Sequence, residues 1–145
     1  AVELGVKVII PIISEFSNVK LMGNRVNNKI THWEKIIIGA AEQCGRNTLV
    51  ELQSPMTLIE SIHLDNDSKK LILHPDVGQT MSKINIKNNK LVLMIGPEGG
   101  FSDAEFQKAL DNNYIPVNLG PRILRTETAV ICSLSNAQQL WGDLN

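Results

Sequence analysis

The chain has 145 residues, of which 43% are hydrophobic and 20% charged, and carries a formal net charge of −1. That is the size and composition of one compact domain with its own core, so neither disulfides nor a structural metal is required to hold it together. A chain so close to neutral does not grip nucleic acid through bulk charge, and any RNA contact must come from a local patch or from a surface outside these residues.

The two cysteines, Cys44 and Cys132, match no metal or redox spacing and read as buried thiols in a reducing compartment. No apolar run reaches the length of a membrane span and no signal peptide opens the chain, which sets the expectation of a cytoplasmic protein without a membrane partner.

Residues 6–13 form a β-branched run, broken near its end by Pro11, and predict a buried strand. Residues 14–28 are polar and Asn-rich, contain Gly23, and predict a long loop. Thr31 and Glu34 have capping-box spacing and open a predicted helix whose apolar positions are Trp33, Ile36, Ile37, Ala40, Ala41 and Cys44, with Gly45 as the stop. Thr57 and Glu60 make a second box for a short helix reaching about His63.

Beyond Lys70 the pattern becomes strand, loop and helix in alternation. Residues 71–73 predict a short strand ending at His74 and Pro75, and the polar stretch 76–90 a surface loop. Residues 91–95 predict another strand, and Ser102 with Glu105 caps a helix through Leu110. Residues 115–119 predict a further strand. The last helix is expected over Thr126–Trp141, with Val130, Leu134, Ala137 and Trp141 as one apolar stripe and Gly142 at its end. Three strands alternating with helices predict an α/β domain with a mostly parallel sheet, and no internal repeat or second domain is visible.

In open α/β sheets ligands bind outside the carboxyl ends of the strands, and three such ends are unusual here. The most informative is Ile95, Gly96, Pro97, Glu98, Gly99 and Gly100. Its glycines remove side-chain bulk, so a ligand can approach the main chain, although a tight strand-to-helix turn explains them equally well. The segment lacks both the Lys-Ser/Thr ending of a Walker loop and dinucleotide spacing, and the Glu98 carboxylate would repel phosphate. A ligand with positive charge or hydrogen-bond donors suits it better. The second segment runs Pro121, Arg122, Ile123, Leu124, Arg125, Thr126, Glu127, Thr128 and Ala129. A capped helix start, with Thr126 or Thr128 as cap, accounts for the threonines and the glutamate. It does not account for the arginines, whose charge opposes the helix dipole and which make better sense as anion or nucleic-acid contacts.

These two segments, from Ile95 to Ser102 with Glu105 and from Leu119 to Ala129, resemble the ribosomal RNA small subunit methyltransferase E family of the SPOUT superfamily. The likeness extends upstream through Glu3 to Val6, Trp33 to Ile36 and Ala41 to Arg46. The chain departs from the family near Phe16, where a basic residue is usual, and near Val50, where a proline is frequent. The resemblance implies an α/β SPOUT-type fold with a C-terminal deep trefoil knot, a rare exception to unknotted topology. It also implies a homodimer that binds S-adenosyl-L-methionine and methylates N3 of a uridine in small-subunit (16S) ribosomal RNA. Residues 1–145 would be the catalytic domain, with a separate N-terminal PUA-like RNA-binding domain absent from this chain, in keeping with its start at Ala1.

Carried over residue by residue, the expected cofactor contacts are Leu73, His74, Pro75, Ile95, Gly96, Pro97, Glu98, Gly99, Gly100, Leu119, Gly120, Ile123, Leu124 and Ala129. Uridine N3 carries a proton that must leave. Arg125 is the first candidate for catalysis, stabilising the uracil oxyanion or orienting the nucleotide, and Glu98 and Glu127 are candidate proton acceptors. Arg122 is a candidate phosphate contact. Arg25, Lys29, Lys35 and Arg46 are read as a solvated face or, alternatively, a weak basic surface around the first helix, with Arg25 and Arg46 as candidate RNA contacts. His74 either lines the pocket through its backbone or is structural. His32 and His63 have no partners at ligand spacing, so no metal is assigned. Trp33 and Trp141 are read as core or dimer-interface residues. The alternatives are a 2′-O-ribose methyltransferase of the same superfamily and a non-catalytic domain that binds cofactor or RNA.

Overall fold

The computed structural model describes residues 1–17, 24–64, 67–86, 88 and 90–144, with the backbone alone for Asn24 and Arg25. Among the described residues, eight short strands and four α-helices follow in the order β1 (Val8–Ile9), β2 (Ile12–Ile13), α1 (Asn24–Cys44), β3 (Glu51–Leu52), β4 (Met56–Thr57), α2 (Leu58–Ser61), β5 (Lys69–Leu73), β6 (Gln79–Thr80), β7 (Leu91–Met94), α3 (Asp103–Asp111), β8 (Ile115–Asn118) and α4 (Thr126–Trp141). All strand pairs are parallel, as the alternation of strands and helices predicts. No helix among the described residues is long and apolar enough to cross a membrane.

The principal sheet has the order β6-β8-β5-β7, with β5 at its centre. Alternate residues of its strands face opposite sides. Leu71, Leu73, Leu91, Leu93, Ile115 and Val117 pack with Met81, Ile84, Ala137 and Trp141, so one face is closed by α4 and the turn after β6. Ile72, Val92 and Met94 pack on the other face with Leu58 of α2, Ile62 just after it, and Phe106 and Ala109 of α3. Leu71 and Ile72 are both fully buried, and each contributes roughly 1.5–3 kcal/mol through burial. Lys70 on the same strand is buried because its ammonium donates to Ile62 O at 3.0 Å and sits 5.6 Å from the Tyr114 ring centroid.

The amino-terminal part forms a second cluster of Val2, Ile37, Ala41 and Val50. Here three expectations are corrected. Residues 6–13 are not one buried strand. They divide into β1 and β2, which pair with β3 and β4 in separate ladders, and Val8 is 41% exposed. Pro11 has no N–H to give to a ladder, and Pro55 lies in the stretch between β3 and β4 opposite it. Ile9 pairs with Leu52 and Ile12 with Met56, so one extra residue is accommodated opposite the proline.

Secondly, α1 begins at Asn24 rather than Thr31, so Thr31 and Glu34 lie inside the helix and form no cap. The half-buried positions Val26, Ile30 and Trp33 continue the stripe of Ile37 and Ala41 upstream, and burial of that stripe outweighs the weak helix preference of the asparagines. Of the expected loop 14–28, residues 18–23 lie outside the described residues. The helix ends as expected at Gly45, with φ 73°. Gly45 N donates to Glu42 O and Arg46 N to Ala41 O, the paired bonds of a Schellman turn.

Thirdly, Cys44 is exposed and Cys132 half-buried rather than both buried, because Cys44 sits in the last turn of α1. Within the expected surface loop 76–90, β6 adds an edge strand, and Met81 and Ile84 are buried beneath the sheet.

Candidate functional site

The site is built at the carboxyl edge of β7, β5 and β8. Leu71 is in register with Leu93 and Ile115, and Leu73 with Val117. The three strands therefore end at one level and release their loops side by side. Cross-links hold these loops. His74 N donates to Val117 O at 3.0 Å, Asn118 Nδ2 to Gly78 O at 3.0 Å, and Thr126 Oγ1 to Gly96 O at 3.4 Å. The last bond joins the start of α4 to the glycine loop after β7, although the two segments are thirty residues apart.

After β7, Gly100 N donates to Pro97 O at 2.9 Å and closes a tight turn, with Gly100 at φ 72°. A side chain added at Gly100 or at Gly120, whose φ is 105°, would meet open space. These glycines are therefore required by backbone conformation and leave bare main chain beside open space. Gly78 is different. Its Cβ would lie 2.5 Å from the backbone of Pro116, so the loop after β5 passes over β8 only because this residue is glycine. Gly78 was not singled out from the sequence, where its only signal is a polar turn.

The expected cofactor residues Leu73, His74, Pro75, Ile95, Gly96, Pro97, Glu98, Gly99, Gly100, Leu119, Gly120 and Leu124 all lie on or beside these three loops. Ala129 stands in the first turn of α4, where its N–H bonds Arg125 O at 2.8 Å. Ile123 points away from the protein and is 82% exposed. His74 uses its ring for structure: Nδ1 accepts from Asp76 N and Val77 N at 3.2 and 3.1 Å, and the ring packs on Phe106 at 4.7 Å between centroids. An imidazole nitrogen that accepts two N–H groups carries no proton of its own.

Arg125 is the N-cap residue of α4 and makes no side-chain cap bond. Arg122, Arg125, Glu98 and Glu127 are all exposed. Thr126 caps nothing, since its hydroxyl reaches Gly96. Arg46 lies elsewhere, its Nη1 donating to Val2 O and Val6 O at 2.8 Å each. The side chain of Arg25 falls outside the described residues. Trp141 packs in the sheet core, and Trp33 lines an apolar groove with Ile9, Pro11, Ile36 and Leu52. Among the described residues no three His, Cys, Asp or Glu side chains are grouped as metal ligands.

One residue does more than its spacing announces. Glu105 closes the capping box of α3 by accepting from Ser102 N at 3.0 Å through Oε2. Its other oxygen accepts from Glu15 N at 2.9 Å. It thereby ties the turn after β2 to the glycine loop, and Phe16 lies against Gly99, where an added Cβ would be 3.0 Å from that of Phe16.

The family model of the RNA methyltransferase domain matches residues 1–138. Ribosomal RNA small subunit methyltransferase E of Buchnera aphidicola subsp. Acyrthosiphon pisum is 40% identical over 146 residues, covering 99% of this chain and 57% of that protein. The enzyme of the same name from Buchnera aphidicola subsp. Schizaphis graminum is 39% identical, covering 100% and 59%. The crystal structure of ribosomal RNA small subunit methyltransferase E from Neisseria gonorrhoeae, bound to S-adenosylmethionine, is 36% identical with a TM-score of 0.92 and covers 99% of this chain and 59% of that one. The chain thus spans less than three-fifths of the length of the relatives it matches. With its parallel α/β sheet and its match over nearly the whole length, the chain belongs to the RNA methyltransferase domain family.

Proposed function

We propose that this chain carries the methyl-transfer site of an S-adenosylmethionine-dependent enzyme that methylates N3 of a uridine in small-subunit ribosomal RNA. The observation that carries the reading is the convergence of the loops after β5, β7 and β8, cross-linked through His74, Asn118 and Thr126. The residues fit the cofactor: Gly100 and Gly120 face open space at left-handed φ, the cradle that a ligand approaching bare backbone needs. Main-chain groups of residues 95–100 and 119–124 and of His74 would hold it. Bound there, the cofactor would supply an electrophilic methyl group carried on a sulfonium, for transfer to the deprotonated N3.

The chain's own side chains have separate tasks. Glu98 and Glu127 are exposed carboxylates able to take the N3 proton. Arg125, unpaired with its own helix, offers fixed positive charge to the uracil oxygens, and Arg122 to a phosphate. Holding the base in line with the donor is the remaining contribution. A homodimer and a cytoplasmic location belong to the same reading, as does the trefoil knot through the three loops. The exposure of Ile123 and of Ile131, at 57%, supports a further protein surface beside α4.

Two measurements test this. Calorimetric titration with S-adenosylmethionine should show one site per chain. Small-subunit RNA incubated with the full-length protein and the cofactor, then digested to nucleosides, should contain 3-methyluridine. A methyl group on the ribose 2′-oxygen would replace the proposal with ribose methylation. Cofactor binding without methylated RNA would leave a non-catalytic binding domain.

A further inference from the structure

Beside the glycine loop lies a shallow, open depression lined by Glu15, Phe16, Ser17 and Gly99. Phe16 is 46% exposed, an unusually open position for a large apolar side chain. The turn that carries it is nevertheless tightly held. Ser14 N donates to Ser17 Oγ at 3.0 Å, Ser17 N to Ser14 O at 3.1 Å, and the two hydroxyls are 2.9 Å apart. Glu105 holds Glu15 N from the opposite side at 2.9 Å, and Phe16 abuts Gly99. The backbone that carries Phe16 is thus held by polar bonds on both flanks, and the residue stays partly open to the cleft.

We infer that Phe16 is a stacking platform for an unstacked nucleobase of the RNA substrate, seated between the 14–17 turn and Gly99. The inference rests on the proposed methyl-transfer reading and adds to it a binding role for Phe16. A planar base needs an apolar face together with polar groups at its edge, and the cleft offers a ring beside the Ser17 hydroxyl and the Glu15 carboxylate. The start of α4, which follows exposed Arg122 and Arg125, is bonded to Gly96 in the same glycine segment, so the cleft and the proposed RNA-facing cations belong to segments joined at one loop. Bases to be modified must leave their stack, and an aromatic side chain replaces the contact they lose.

The test uses the full chain with small-subunit RNA. Phe16→Leu keeps apolar volume but removes the π-face, and should raise KM for RNA roughly tenfold to a hundredfold. The dissociation constant for S-adenosylmethionine, measured by calorimetry, should change less than twofold. Phe16→Trp should restore KM, and its additional emission should be quenched by a uridine-containing oligonucleotide but not by one with an abasic site in place of the uridine. A Phe16→Leu protein with unaltered KM for RNA, or a Phe16→Trp protein whose emission RNA leaves unchanged, overturns the platform. A wild-type chain that neither binds cofactor nor methylates RNA overturns the methyl-transfer reading instead, and the quenching experiment still decides whether Phe16 meets a base.

Discussion

The starts of α3 and α4 stand next to each other at the same edge of the sheet and are built in opposite ways. Ser102 and Glu105 satisfy the first N–H groups of α3 reciprocally, and Asp103 and Glu105 set negative charge where the helix dipole favours it. The start of α4 has Arg125 at the N-cap, no side-chain cap, and a threonine whose hydroxyl turns to Gly96. An arginine there forgoes about 1 kcal/mol of capping and opposes the dipole. The contrast teaches that α3 is closed on itself and serves as an anchor, while α4 leaves its N–H groups and two cations facing outward. Local rules are broken at a functional place and kept at its support.

Replacing Arg125 should break the contrast most forcefully. Arg125→Ala is expected to reduce methylation of small-subunit RNA by a hundredfold to a thousandfold, about 2.7–4 kcal/mol of transition-state stabilisation, with cofactor affinity by calorimetry within twofold of wild type. Near-normal turnover would remove the assignment. Gly78→Ala should come next, since φ 121° and a 2.5 Å approach to Pro116 leave no room for a methyl group. A loss of at least roughly 1–3 kcal/mol is expected in urea unfolding.

On the anchoring side, Ser102→Ala should destabilise the fold by about 1 kcal/mol, through loss of the α3 cap. The complementary change at α4 should have the opposite sign. Arg125→Asn supplies a capping side chain and is expected to raise stability by about 0.5–1 kcal/mol while activity falls. A destabilised Arg125→Asn protein would show that Arg125 has a structural partner after all.

The smallest effect concerns a third helix start. Thr57 N and Thr57 Oγ1 both donate to Glu60, and the backbone bond first, then the hydroxyl, holds the Glu60 carboxyl below its ordinary value. The folded state therefore binds this proton less readily than the unfolded chain. Its stabilisation is complete above the ordinary carboxylate range and is lost as pH falls through the lowered value. Denaturation midpoints of wild type and Glu60→Gln should differ slightly near neutrality and converge in acid, and a constant difference would assign the bond no titrating part.

The boundaries that could be read from the sequence are those set within a few residues. The boxes at Thr57–Glu60 and Ser102–Glu105, the stop at Gly45 and the span of α4 all depend on neighbours three to five positions away. So do the short apolar runs that mark β5, β7 and β8. The start of α1 could not be read this way, because asparagines favour loops locally and only packing of Val26 and Ile30 overrides them. The two-residue strands β3, β4 and β6 carry no period at all, and become strands only by pairing across the chain.

The residue types of the candidate site, its glycines, the exposed arginines and the carboxylates, were determined by the sequence alone. So was the alternation of strand and helix that places them at strand ends. The tertiary structure decided which ends meet, because parallel register is a relation between segments distant in the chain. That register sets Leu73 beside Val117 and, with the loops it releases, brings Thr126 to Gly96. It also decided that Arg46 belongs to the amino-terminal turn while Arg122 and Arg125 stay exposed, and that Phe16 stands over Gly99. Hydrogen bonds across such separations leave no pattern in any short window of sequence, and here they assemble the site.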